Sequence, residues 1–272
     1  MAKISTEDRY KYLEKISPYK TVIDGILNRE QSIVQLVKKD PETAAYKRLT
    51  LVEEMLNLAS YYIIINGVSQ SVLKVKNEDA LNDGRKALYK SVIYLEEVVT
   101  NFIDAPFSEY EERIAEIESL DAARRYLLAR KMGLAIELLE NAYGDNTKWK
   151  WSFVELEGRY ATVVKNMINL RSAVSNTDPR SPNYEPTVYH MRLIKKLLMQ
   201  AADRYREKYE LSTSRIDDFK QGILFLAALR RLHMVMGERD EAEIVKKKLD
   251  IWTVKLESDM KKQEEPVPKK PV

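Results

Sequence analysis

Residues 149–170 read WKWSFVELEGRYATVVKNMINL. Apolar side chains fall at Trp149, Phe153, Leu156, Tyr160, Val163, Met167 and Leu170, alternately four and three positions apart. Residues so spaced are neighbours on a helix surface, so this stretch lays one apolar stripe along one helix face. The same beat recurs at Ala45, Leu49, Val52, Leu56, Ala59 and Ile63, and at Leu88, Val92, Leu95, Val99 and Phe102. A chain written in this rhythm is all-α. The expected architecture is a set of antiparallel helical hairpins forming an elongated bundle or an irregular α-solenoid. With only 8 glycines in 272 residues, few turns can depend on positive φ, which suits long helices better than a many-stranded sheet.

Capping and breaking residues place the helices. Ser5 with Asp8 opens a short helix to Ile16, and Pro18 interrupts it. A second helix follows from Tyr19 to Lys39. Asp40-Pro41-Glu42 restarts the chain into a third helix that reaches Asn66, with Gly67 as its left-handed stop. Residues 68–76 alternate weakly and read as a helix end or loop rather than a strand. Asn77 caps a helix to Asp104, Ala105-Pro106 breaks it, and Ser108 with Glu111 has the spacing of a capping box. Helices over 120–143 and 149–174 complete the first part. The segment 175–186 (SNTDPRSPNYEP) carries turn formers and no aliphatic side chain, so it reads as a loop or hinge. Three helices follow, over 187–210, 214–236 and 238–262, for about ten in all. The expected organisation is an N-terminal helical region over 1–174, a hinge over 175–186, C-terminal hairpins over 187–262 and a disordered tail over 263–272.

Composition narrows the chemistry. The 45 basic and 42 acidic residues leave a net charge of +3, and the two signs alternate along the helices. Interleaved charge makes a solvated surface, whereas counterion-driven nucleic-acid binding needs clusters, so a nucleic-acid partner is not expected. Arg124-Arg125, Arg130-Lys131, Arg230-Arg231 and Lys246-Lys247-Lys248 read as solvated faces, with an acidic or phosphate-bearing partner as the sharper alternative. The absence of cysteine removes disulfides, thiolate metal sites and cysteine nucleophiles. The N-terminus as given has no signal-peptide apolar core, and the most apolar run, 58–65, is too short to span a bilayer. The default expectation is a cytoplasmic protein, or a periplasmic one if a signal has been removed.

No catalytic constellation is legible. The 2 histidines, His190 and His233, follow Thr187 and Arg230 at three positions, so neither makes the Glu-x-x-His motif of a di-iron bundle. No Walker loop, dinucleotide glycine motif or nucleophile elbow is present. Neither cofactor nor metal is expected. His190 is expected at the surface and His233 between helices. The 16 tyrosines read as helix-packing aromatics or, more sharply, as a protein-binding face. Trp149 and Trp151 lie too close in sequence to share a helix face, and Trp151 is the candidate for exposure. The last helix places Ala242, Val245, Leu249, Trp252 and Leu256 on one face, expected to pack on its own chain, with self-association left open.

Met236-Gly237-Glu238-Arg239-Asp240-Glu241-Ala242 resembles the turn of a tetratricopeptide hairpin: a small residue closes one helix and an alanine follows where the helices touch. Residues 135–142 resemble a second helix of such a repeat. Arg230 and His233 depart from the family's small residue and tyrosine. The resemblance covers about two hairpins. With no catalytic constellation in a long helical chain rich in tyrosine, the functional expectation is a non-enzymatic scaffold, adaptor or structural component that binds a protein partner through a helical, tyrosine-rich surface. Its candidate partner-binding residues are Trp151, Arg230, Arg231, His233 and Trp252. The alternative is a small-ligand sensor or enzyme whose pocket between helices uses Tyr, Arg, Glu and His233.

Overall fold

A computed structural model describes residues 4–144 and 147–264. They form ten α-helices, and no strand occurs among the described residues. The chain divides into two compact units. The first comprises residues 1–101 and 110–169, and the second comprises 102–109 and 170–272.

In the first unit, α1 (Thr6–Lys39), α2 (Ala44–Leu73) and α3 (Glu78–Val99) pack in sequence, α2 lying between the other two. Arg29 pairs with Glu54 between α1 and α2, and Arg48 with Glu97 between α2 and α3, as antiparallel neighbours require. α4 (Glu111–Glu116) is short; α5 (Ala122–Tyr143) packs on α2 and α3, and α6 (Lys150–Asn166) packs on α3 and α5. Met55, Leu56, Leu81, Leu88, Leu95, Phe153 and Leu156 form the closed core among these helices.

α1 is one 34-residue helix that contains Pro18, so the expected break there does not occur. Proline removes one donor, but Pro18 is exposed and water can take the orphaned carbonyl, while buried Ile16, Ile23 and Ile26 hold both sides against α2. α2 likewise runs past Gly67 and stops at Lys74, whose φ is 57°. The turn is fixed by buried side chains of the last turns of α2. Asn66 Oδ1 accepts from the Asn77 N–H at 2.9 Å, and the Ser69 hydroxyl donates to the Val75 carbonyl at 2.9 Å. Asn77 caps α3 as expected, accepting from the Ala80 N–H at 2.9 Å. The expected capping box at Ser108 is replaced by a 3-10 turn over Phe107–Glu109, with Tyr110 preceding α4 and no side-chain cap.

In the second unit, α7 (Leu170–Ser175) is followed by the proline-rich loop. Then α8 (Tyr184–Lys208), extended by a π turn over Tyr209–Thr213, packs on α9 (Ile216–Val235), and α9 packs on α10 (Arg239–Glu264). The expected helix over 149–174 is thus two helices, and the unit boundary lies before Leu170 rather than in the loop. Phe219, Phe225, Leu226, Ile194 and Leu198 form this core. Gly237, at φ 74°, closes α9, and Ala242 is buried one turn into α10. The tail expected over 263–272 begins inside α10, which runs to Glu264, and its residues 265–272 lie outside the described residues.

Candidate functional site

The structure separates the five expected site residues. Arg230 and Arg231 lie at the last turns of α9, where they line a cleft of about 580 Å³ together with Asp104, Ala227, Met234, Val235 and Leu249. Arg231 forks onto Asp104, Nε at 2.6 Å and Nη2 at 3.2 Å. Arg230 differs. Its Nε–H is enclosed and meets no acceptor among the described residues.

His233 and Trp252 do not join that cleft. His233 is buried, and its Nδ1 lies 2.6 Å from Glu238 Oε2. Glu238 also accepts from Lys195. Burial raises the Glu238 carboxyl, but the Lys195 and His233 donors outweigh it and hold the group below its ordinary value. This trio clamps the α9–α10 turn onto α8. Trp252 is a core residue, 2% exposed, and its ring centroid lies 5.7 Å from that of Phe219. It packs on its own chain, and a partner cannot reach it. Trp151 is half-exposed at the start of α6, with Lys150 Nζ 4.9 Å over its ring. His190, expected at the surface, is 1% exposed.

The tyrosines mostly serve the interior. Tyr10, Tyr46 and Tyr189 are exposed, whereas Tyr110, Tyr143, Tyr160, Tyr205 and Tyr209 are buried. Tyr205 stacks on Phe225 and Tyr209 on Phe219. The exposed apolar surface is aliphatic instead. On α10, Ala242, Val245 and Trp252 are buried, while Ile244, Ile251 and Val254 are 66%, 67% and 67% exposed. At 100° per residue the two sets stand on opposite sides of the helix, so α10 has a second apolar stripe left open among the described residues. On α5, Leu127, Leu134 and Leu138 form a similar exposed stripe.

Three polar clusters had no sequence signal. Glu30, buried in α1, accepts from Lys90 at 2.8 Å and from the Tyr94 hydroxyl at 2.8 Å, both on α3. Burial, then the Glu30 hydrogen bond, pushes the Tyr94 hydroxyl above its ordinary value. The Arg85 guanidinium lies 4.1 Å over the Trp149 ring and donates to Ser152 and Asn82. Arg125, expected on a solvated face, is buried. It donates to the carbonyls of Leu120, Met167 and Ile117 at 2.6, 2.7 and 2.8 Å. Only its neighbour Arg124 is exposed. A buried arginine and a solvated one look alike in sequence, because the distinction is made by carbonyls 5 to 42 residues away.

No group of three or more histidine, cysteine or acidic residues could hold a metal among the described residues. No described helix is long and apolar enough to cross a membrane. The chain belongs to the TP0443 family, whose profile matches residues 8–260. No curated protein and no solved structure matches it.

Proposed function

We propose that this protein is a non-enzymatic interaction protein, a scaffold or adaptor, that docks a partner along the outer stripe of α10. The observation that carries this reading is the two-faced character of that helix. Its inner stripe is used up by α9, yet Ile244, Ile251 and Val254 remain about two-thirds exposed. Apolar side chains repeated at helical spacing on an open face fit the apolar face of a second helix. Lys247 stands within the stripe, so the matching partner helix carries an acidic residue opposite it. The α9–α10 hairpin is also where the tetratricopeptide-like turn lies, which supports a role in protein recognition. The aliphatic stripe replaces tyrosine as the main apolar contact in this reading.

The test is a pull-down from native cell extract with the tagged full chain and with an Ile251→Glu variant, washed at low and high salt. A stoichiometric partner held by the parent at high salt and lost by the variant is the expected result. Equal capture by both, or capture by neither, removes the proposal. Ile251 is mostly exposed, so the variant keeps its fold, checked by circular dichroism.

A further inference from the structure

The cleft at the end of α9 holds two adjacent arginines in different states. Arg231 is neutralised by the bidentate Asp104 carboxylate. Arg230 lines the same cleft, and its guanidinium donates to no atom of the described residues; its Nε–H is enclosed without an acceptor. A half-buried cation without an acceptor is costly to fold around. The lining holds two cations against one carboxylate, so the cleft carries one positive charge in excess. The remaining wall is Ala227, Met234, Val235 and Leu249, with Met234 58% and Val235 46% exposed. An aliphatic wall beside one unsatisfied guanidinium selects both halves of a ligand. The volume of about 580 Å³ falls within the usual range for small-molecule sites.

We infer that this cleft binds a monoanionic carboxylate carrying a short branched aliphatic group. The carboxylate sits on the Nη1–Nη2 edge of Arg230, because the enclosed Nε–H is out of its reach, and it uses the planar two-bond geometry a guanidinium offers. The aliphatic group lies along Met234, Val235 and Leu249 and removes that wall from water. A dianion would leave one charge uncompensated, and a neutral analogue would leave Arg230 unmatched. The site is separate from the outer stripe of α10, and the inference does not rest on partner docking. A carboxylate of this kind exists as a free short-chain acid or as the C-terminus of a peptide.

The experiment titrates isocaproate, N-acetyl-leucine and neutral isocaproamide into the full chain, following the methyl NMR signals of Met234 and Val235. The expected result is saturable shifts with one or both carboxylates and binding of the amide at least about tenfold weaker. Isocaproate alone identifies the free acid as the source. N-acetyl-leucine alone identifies the peptide terminus, and both identify the shared chemistry. Arg230→Gln weakens the carboxylate by about tenfold or more, and Arg230→Lys by less. The idea is overturned if neither acid shifts these methyls at about 10 mM. It is equally overturned if the amide binds as well as the acids, or if a folded Arg230→Gln variant binds unchanged.

Discussion

At the scale of single residues, stability depends on polar groups placed where only apolar ones were anticipated. Arg125 is the clearest case. Burial pulls its guanidinium below its ordinary value, yet the ring of carbonyls from Leu120, Ile117 and Met167 keeps its donors satisfied. Arg125→Met removes all of these bonds and leaves buried carbonyls unmatched, so a loss of about 3 kcal/mol is expected in urea unfolding. Arg125→Lys restores little, because one ammonium cannot reach the same spread of acceptors; full recovery by lysine would refute the account. Gly133 makes a second case. A Cβ there would lie 2.5 Å from the Tyr160 hydroxyl, which is itself fixed by donating to the Ala129 carbonyl at 2.8 Å. Glycine to alanine in a helix interior normally gains up to about 1 kcal/mol. Here Gly133→Ala destabilises by about 1–3 kcal/mol through overpacking. In a Tyr160→Phe background the nearest obstruction is gone and only the ring Cζ at 3.1 Å remains, so the same change costs less. A double-mutant cycle measures this, and additive effects would contradict the steric reading.

At the scale of elements, the helices were legible because their stripes repeat, and their ends were not when tertiary contacts set them. Pro18 and Gly67 are breakers in isolation, but each sits on an exposed face of a helix whose other face is closed against neighbours. Packing outweighs one missing hydrogen bond. The cost is still present, so Pro18→Ala is expected to raise stability by about 1–3 kcal/mol in thermal or urea unfolding. A loss of stability would mean that the proline shapes the helix in a way the contacts do not require. Asp40 marks a boundary of another kind than expected: it ends α1 as its C-cap, and α2 starts at Ala44 after Thr43, so neither Asp40 nor Pro41 opens α2. Asp40 accepts from Lys47 Nζ and from the Thr43 hydroxyl, each at 2.6 Å. The Lys47 donor first, and Thr43 after it, hold its carboxyl down at about 2, against an ordinary 3.8. A carboxyl depressed in the folded chain adds stability above its unfolded value and loses it as the pH falls toward the folded one. Asp40→Asn should therefore flatten the acid loss of stability between about pH 4 and pH 2. Urea midpoints across that window that run parallel for variant and parent would exclude this contribution.

At the scale of the whole molecule, sequence locates the loop but not the partition. Pro179 and Pro182 do lie between α7 and α8, while Pro186 falls in the first turn of α8, and Leu170 and Ala173 are already buried and belong to the second unit. Residues 102–109 also belong there, although Tyr110 returns the chain to the first unit. Nothing in local composition marks these crossings, because membership is decided by which core a side chain enters. Asp104 meeting Arg231 across 127 positions is a consequence of that path. The candidate site was partly legible for the same reason. The pair Arg230-Arg231 could be singled out as charged and adjacent, but only the inserted segment tells the two apart. Because each unit closes its own core, a deletion in one should be felt there first. Trp252→Ala empties space against Phe219 within α9 and α10 and should cost about 3–5 kcal/mol. Hydrogen exchange on the variant should then accelerate throughout α8, α9 and α10. The amides of α2 and α3, closed around Met55, Leu81 and Leu95, should keep their parental protection. An equal rise in exchange across all five helices would show that the two cores unfold as one, and the partition would then describe contacts without describing cooperativity.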